Sequence, residues 1–212
     1  IQNWASLEEV SVIKRDENEL LQELNLQDKF VFLYAGNMGP PQDVESIIAA
    51  AELLKKDGNE EIHFLFIGAG GKKKWLEAEI KNKHLSNVTV LPPRPRNDQT
   101  NFLNACDVAL VPLIKGMKAV AMPSRTYNFL AAGKPILAIV EAGSEPAIVV
   151  EEENVGWVSP PHEPEKLKET ILQAYSERDK FDEIRKRSRH AAETKYSFET
   201  ALQKYFEVFD DI

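Results

Sequence analysis

Apolar runs of strand length alternate with amphipathic stretches along nearly the whole chain. Phe30 to Ala35 is a continuous apolar run, as expected of a strand buried on both faces, and Gly36 is expected to end it. Asp43 stands where a helix N-cap belongs. Val44, Ile47, Ile48, Ala51 and Leu54 then recur at spacings of three and four, giving one apolar face that closes at Gly58. Ile62 to Ile67 predicts a second strand, with Gly68, Gly70 and Gly71 serving the turn after it. A polar helix is expected over residues 72–83, a third strand over Val88–Leu91, a helix near 97–105 and a fourth strand over 107–113. Ser124 is placed to cap a helix over 125–132, ended by Gly133. A fifth strand follows at 135–140, a short helix opens at Ser144, and a weak sixth strand covers 155–159. From Pro164 the pattern is helical, broken at Tyr196-Ser197, where Ser197 caps a last helix to about Phe209.

Strands alternating with helices of this length imply right-handed βαβ units. The expected fold is α/β, a Rossmann-like doubly wound parallel sheet of about six strands in the order 3-2-1-4-5-6. In that order the chain reverses direction between strands one and four, and ligands bind in the crevice at their carboxyl ends. Two loops then form the site, residues 36–42 and 112–123.

Composition narrows the chemistry. The 212 residues carry 26 Lys+Arg against 34 Asp+Glu, a net charge of −8. An acidic chain lacks the basic face that duplex nucleic acid requires, so no nucleic-acid partner is expected. Cys106 is the only cysteine and sits among apolar neighbours, which excludes an internal disulfide and a cysteine-built zinc site. The four histidines, His63, His84, His162 and His190, form no metal-binding motif, and no metal is expected. No apolar run reaches the roughly 18 residues of a membrane span. The first residues, IQNWASLEEV, show neither the basic segment nor the apolar core of a signal peptide. A cytoplasmic location follows as the expectation, peripheral to the inner membrane face if any membrane is touched. Lacking an initiator Met, the chain reads as a piece of a longer protein.

The first loop, Gly36-Asn37-Met38-Gly39-Pro40-Pro41-Gln42, has two glycines that let backbone N–H groups approach an anion. It is neither GxGxxG nor a Walker loop, and by itself it reads first as a tight turn. In the second segment, Ala121 to Pro135, Pro123 and Ser124 lead into a helix start directed at the crevice. Arg125 adds a permanent charge suited to phosphate, and Asn128 lies one turn deeper, placed to meet sugar hydroxyls. A capped, buried helix with a solvated Arg125 explains the same residues equally well. Arg94, in LPPRPR after the third strand, is a weaker candidate for the crevice mouth. Trp4, Trp75 and Trp157 are scattered and suggest no stacking platform. The basic runs at 72–74 and 185–187 read as solvated helix faces.

PSRTYNFLAAGKPI, from Pro123 to Ile136, resembles the donor-site helix of family 4 glycosyltransferases, which have the GT-B fold. YAGNMG from Tyr34, FLFIGAG from Phe64, NVTVL from Asn87 and DVALVP from Asp107 fall in that family's order, so the resemblance covers nearly the whole chain. It is nearest to transferases of capsule, O-antigen and exopolysaccharide assembly. The resemblance implies the C-terminal, nucleotide-sugar-binding half of a GT-B enzyme. Residues 1–14 would be an interdomain linker remnant, 15–195 the donor-binding domain, and 196–212 a helix crossing to an absent N-terminal acceptor domain. It further implies a retaining transfer from a nucleotide diphosphate sugar, UDP-linked, to a lipid-linked or polysaccharide acceptor, with membrane contact only through the parent protein. Gly36, Asn37, Met38, Gly39, Arg94, Pro123, Ser124, Arg125 and Asn128 would line the donor site. Arg125 would be the catalytic cation, offsetting charge on the leaving UDP without a metal. This fragment alone would be inactive. The family's Glu-x7-Glu pair falls on Val120 and Asn128, and its basic diphosphate-binding pair falls near Asn37 and Gln42; none of the four matches. Those losses keep open a second reading, a degenerate module that binds nucleotide or partner without catalysis. They argue against a nucleotide-sugar epimerase, which needs carboxylates in this cleft.

Overall fold

The computed structural model describes residues 3–118 and 123–210, the last two by their backbone alone. Residues 119–122, including the motif position at Val120, lie outside the described residues. Six strands, β1 (Phe30–Asn37), β2 (Ile62–Ala69), β3 (Val88–Leu91), β4 (Val108–Pro112), β5 (Ile136–Ile139) and β6 (Gly156–Ser159), form one sheet in the order 3-2-1-4-5-6. Every pairing is parallel. The helices are α1 (Glu19–Glu23), α2 (Val44–Lys56), α3 (Lys73–Asn82), α4 (Gln99–Asn104), α5 (Arg125–Ala131), α6 (Glu145–Glu152), α7 (Pro164–Ser176), α8 (Phe181–Thr194) and α9 (Phe198–Asp210). The expected helix over 97–105 is α4 preceded by a 3₁₀ turn at Arg96–Asp98. No periodicity announces α1, a short helix at whose start the Asn18 Oδ1 accepts the Leu21 N–H at 3.0 Å.

The continuous apolar runs are explained by two cores. Phe32, Tyr34, Phe64 and Phe66 face Val44 and Ile47 of α2 and Leu167 and Ile171 of α7. Val31, Leu33, Leu65 and Ile67 face the opposite way, toward Phe129 and Leu130 of α5 and Ala191 and Ala192 of α8. Because both faces of the sheet are covered, the strands are apolar at most positions, and the buried His63 of β2 has a polar partner in Thr89 of β3.

β1 and β2 each run two residues beyond their expected ends. Gly36 pairs with Gly68, and Asn37 with Ala69. Gly68 is therefore a strand residue and not part of a turn. It has a φ of +152°, and a Cβ there would lie 1.9 Å from the Gly36 carbonyl oxygen. Only glycine lets the ladder continue to the crevice.

At the start of α2, Asp43 caps as expected, its Oδ1 accepting the Ser46 N–H at 3.2 Å. Its Oδ2 also accepts the His162 N–H at 2.8 Å, which ties the loop after β6 to the same helix start. Ser197 caps α9 through the Thr200 N–H at 3.1 Å. Ser124 departs from expectation: its backbone is already helical and its hydroxyl makes no capping bond. The Pro123 carbonyl instead accepts the Thr126 N–H at 3.0 Å and closes the first turn of α5.

Residues 3–14 pack on the domain. Ala5 and Val10 are buried in the same core as α5. The Ile13 N–H donates to Asn104 Oδ1 at 3.1 Å, and Arg15 pairs with the buried Asp107 at 2.9 Å.

His63 on β2 is buried and shares a 2.9 Å hydrogen bond with Thr89 on β3. Burial, helped by the Lys29 ammonium, holds its pKa down to about 4. The unfolded chain binds that proton near pH 6.5, so between these values the unfolded state holds more protons and folding weakens as pH falls. Across this window wild type is expected to lose roughly 2–3 kcal/mol more stability than His63→Gln, as read from urea midpoints.

Candidate functional site

At the carboxyl ends of β1 and β2 the sheet opens into a cavity of about 650 Å³. Gly36 and Asn37 enter it from β1, Arg94 from the segment after β3, Ser124 from just before α5, and Arg125 and Asn128 from α5. A second cavity of about 250 Å³ lies on the β4 side, walled by Tyr34, Gln42, Pro112, Pro123 and Phe129. The two share Gly36, Asn37, Ser124 and Arg125. The smaller cavity stands at the reversal of strand order between β1 and β4, and the larger one adjoins it toward β2 and β3.

Arg125 is the centre of this arrangement. A Cβ on Gly36 would sit 3.5 Å from its Nε, so the guanidinium lies against the end of β1. It is half-buried, and burial lowers its pKa. Among the described residues it has no ion-pair partner. Tyr34 stands beside it, but burial pushes that phenol up to about 12 against the pull of Arg125. The phenol therefore stays protonated, leaves the Arg125 charge uncancelled, and donates to the Asn37 carbonyl at 2.7 Å. A half-buried cation without an anion is a costly arrangement unless a ligand supplies the charge.

The other arginines of the large cavity are already paired. Arg94 meets Asp98 at 2.8 Å and Glu23 at 3.1 Å. Arg96 meets Glu9 at 2.8 Å. Asn128 lines the cavity, and its Oδ1 accepts the Ser6 N–H at 3.2 Å. Pro123 lines the smaller cavity.

Met38 and Gly39 are placed differently from the expectation, and neither lines either cavity. The Met38 side chain is fully buried among α2 and β2 residues, and its backbone bonds to Ala69 and Lys72. The Gly39 N–H, expected to meet an anion, donates to Gln42 Oε1 at 2.9 Å. The loop turns inward because β1 continues through Asn37 and carries Met38 into the core. Asn3, Trp4 and Ser6 also line the large cavity. Their local sequence gives no sign of this, since the segment is held by Asn128 of α5 and by Tyr196, between α8 and α9, both far along the chain.

The family model described as "Glycosyl transferases group 1" matches residues 16–193. The chain belongs to this family. WbjE of Pseudomonas aeruginosa, named a probable glycosyltransferase, is 34% identical over 171 residues, 81% of this chain and 42% of the relative. WcaI of Escherichia coli K12, named for glycosyl transfer in colanic acid biosynthesis, is 31% identical over 145 residues, 68% of this chain and 35% of WcaI. The chain thus spans less than half the length of these relatives. Among solved structures, HepE of Anabaena in complex with UDP-glucose superposes with a TM-score of 0.82 at 19% identity, covering 100% of this chain and 57% of HepE. That likeness shows the fold, a Rossmann-like domain as found in the C-terminal half of GT-B proteins. No helix among the described residues is long and apolar enough to cross a membrane.

Proposed function

We propose that this glycosyltransferase domain binds a nucleotide diphosphate sugar, UDP-linked, for a retaining transfer to a lipid-linked or polysaccharide acceptor. The observation that carries the reading is Arg125, a half-buried cation with no acidic partner among the described residues, at the junction of two cavities. Solved relatives of the same fold are complexes with UDP-glucose, for HepE, and with UDP, for TarM of S. aureus. Arg125 would hold the diphosphate and offset charge on the leaving UDP, with no metal required. Asn128 keeps its Nδ2 for the ribose. The larger cavity takes the nucleoside and the smaller one the sugar.

A second domain would supply the acceptor. Phe198, Leu202, Tyr205 and Phe206 of α9 are exposed apolar residues at helical spacing and offer it a docking face. Without that domain the reacting groups are not brought together, so this chain alone binds donor but transfers no sugar. The reaction is placed in the cytoplasm, with any membrane contact made by the whole protein.

The test is calorimetric titration with UDP in the presence of EDTA. Half a cleft leaves the ligand wet, and a dissociation constant on the order of 0.1–1 mM is expected, about −4 to −5 kcal/mol. A strict need for Mg²⁺ or Mn²⁺ overturns the metal-free part. Absence of UDP binding overturns the donor site and leaves the degenerate module.

A further inference from the structure

Trp4 stands on the wall of the 650 Å³ cavity, 37% exposed. Its segment is fixed from three sides. The Ala5 N–H donates to the Tyr196 carbonyl at 2.7 Å, the Ser6 N–H donates to Asn128 Oδ1 at 3.2 Å, and the indole meets Phe198 edge-on at 5.5 Å. Trp4 also borders a neighbouring cavity beside Phe198, and a partly exposed aromatic residue held by its neighbours on a cavity wall is a preformed contact surface.

The charge along the cavity orients what binds there. Of its three arginines, Arg94 and Arg96 are paired with carboxylates, and only Arg125 lacks an acidic partner among the described residues. The anionic pole is therefore at Arg125, beside Gly36. Asn128 follows about 4.5 Å further along α5. It is hydrogen-bonded to Ser6, and Trp4 is two residues from Ser6. Arg125, Asn128 and Trp4 thus succeed one another in the order phosphate, ribose, base. The buried Phe102 and the exposed Pro93 also line the cavity and add apolar surface to it.

We propose that Trp4 is a nucleobase contact: its indole packs against the base of the nucleotide whose diphosphate lies at Arg125. This rests on the donor-site reading and adds a residue from outside the donor-site motifs. Every base has a π-face, so the contact adds affinity for the nucleoside without reading its hydrogen-bonding edge.

The test is a fluorescence titration of the 212-residue chain with UDP and with uridine, beside calorimetry of the same samples. Trp75 and Trp157 do not line this cavity. Both ligands are expected to quench the emission of wild type and to leave that of Trp4→Phe unchanged, while Trp4→Phe binds UDP within about threefold of wild type. Trp4→Ala is expected to bind UDP and uridine about fivefold to tenfold more weakly, the scale of one lost base–aromatic contact. If Trp4→Ala fails to fold, the comparison of wild type with Trp4→Phe decides. Calorimetric UDP binding with no Trp4-dependent change in emission, or with full affinity in Trp4→Ala, overturns the Trp4 assignment and leaves the donor site standing. No UDP binding to wild type at millimolar concentration overturns both.

Discussion

Gly68→Ala is expected to destabilise the domain by roughly 2–4 kcal/mol and to abolish UDP binding at millimolar ligand. The new methyl would meet the Gly36 carbonyl oxygen at 1.9 Å, in a backbone conformation that side chains rarely adopt. Neither strand can yield easily, because both are buried on both faces. The last pairs of the β1–β2 ladder must separate, and these carry Gly36 and Asn37 into the crevice. Gly36→Ala is the matched control. A Cβ there would lie 3.4 Å from the Tyr34 hydroxyl and 3.5 Å from Arg125 Nε, which is ordinary contact. Urea denaturation should separate the two variants clearly, and equal midpoints would contradict the close approach of the strands.

Arg125→Ala is expected to weaken UDP binding by about 1.5–3 kcal/mol, the scale of charge-assisted hydrogen bonds, and to leave uridine binding almost unchanged. Folding should respond in the opposite direction. Removing a half-buried cation with no ion-pair partner takes away a desolvation cost, so the melting temperature should hold or rise. Loss of ligand without loss of stability distinguishes a ligand-binding arginine from a structural one. If Arg125 were merely solvated, titration of the variant with UDP would give the wild-type affinity.

The strand order was legible in the sequence because the strands are mostly apolar and helices such as α2 carry one apolar stripe, and that order leads to the end of β1 that both cavities share. The α2 and α9 caps were legible for a similar reason, since Asp43 and Ser197 each act within three residues. What escaped depends on partners far along the chain. Gly36 and Gly68 read as strand breakers, yet facing each other across a parallel ladder they extend it. Ser124 has the right chemistry for a cap, but the Pro123 carbonyl closes the turn in its place. Met38 and Gly39 were expected to line the donor site, and with the longer β1 the Met38 side chain lies in the core and the Gly39 N–H donates to Gln42. Trp4 and Ser6 belonged to an expected linker and reach the cavity through Tyr196 and Asn128, more than a hundred residues away in sequence. Arg125 was legible as a candidate. Its lack of an acidic partner among the described residues was not, because that depends on which side chains the fold brings to the end of β1.

Everything proposed for this site turns on the nucleotide's diphosphate lying at Arg125. The most direct measurement is a crystal structure of this chain with UDP bound. Diphosphate oxygens are expected within hydrogen-bonding distance of the Arg125 guanidinium, with the ribose beside Asn128 and the base toward Trp4. UDP seated in the same cavity with its diphosphate at the Trp4 end, or bound outside both cavities, would contradict that placement.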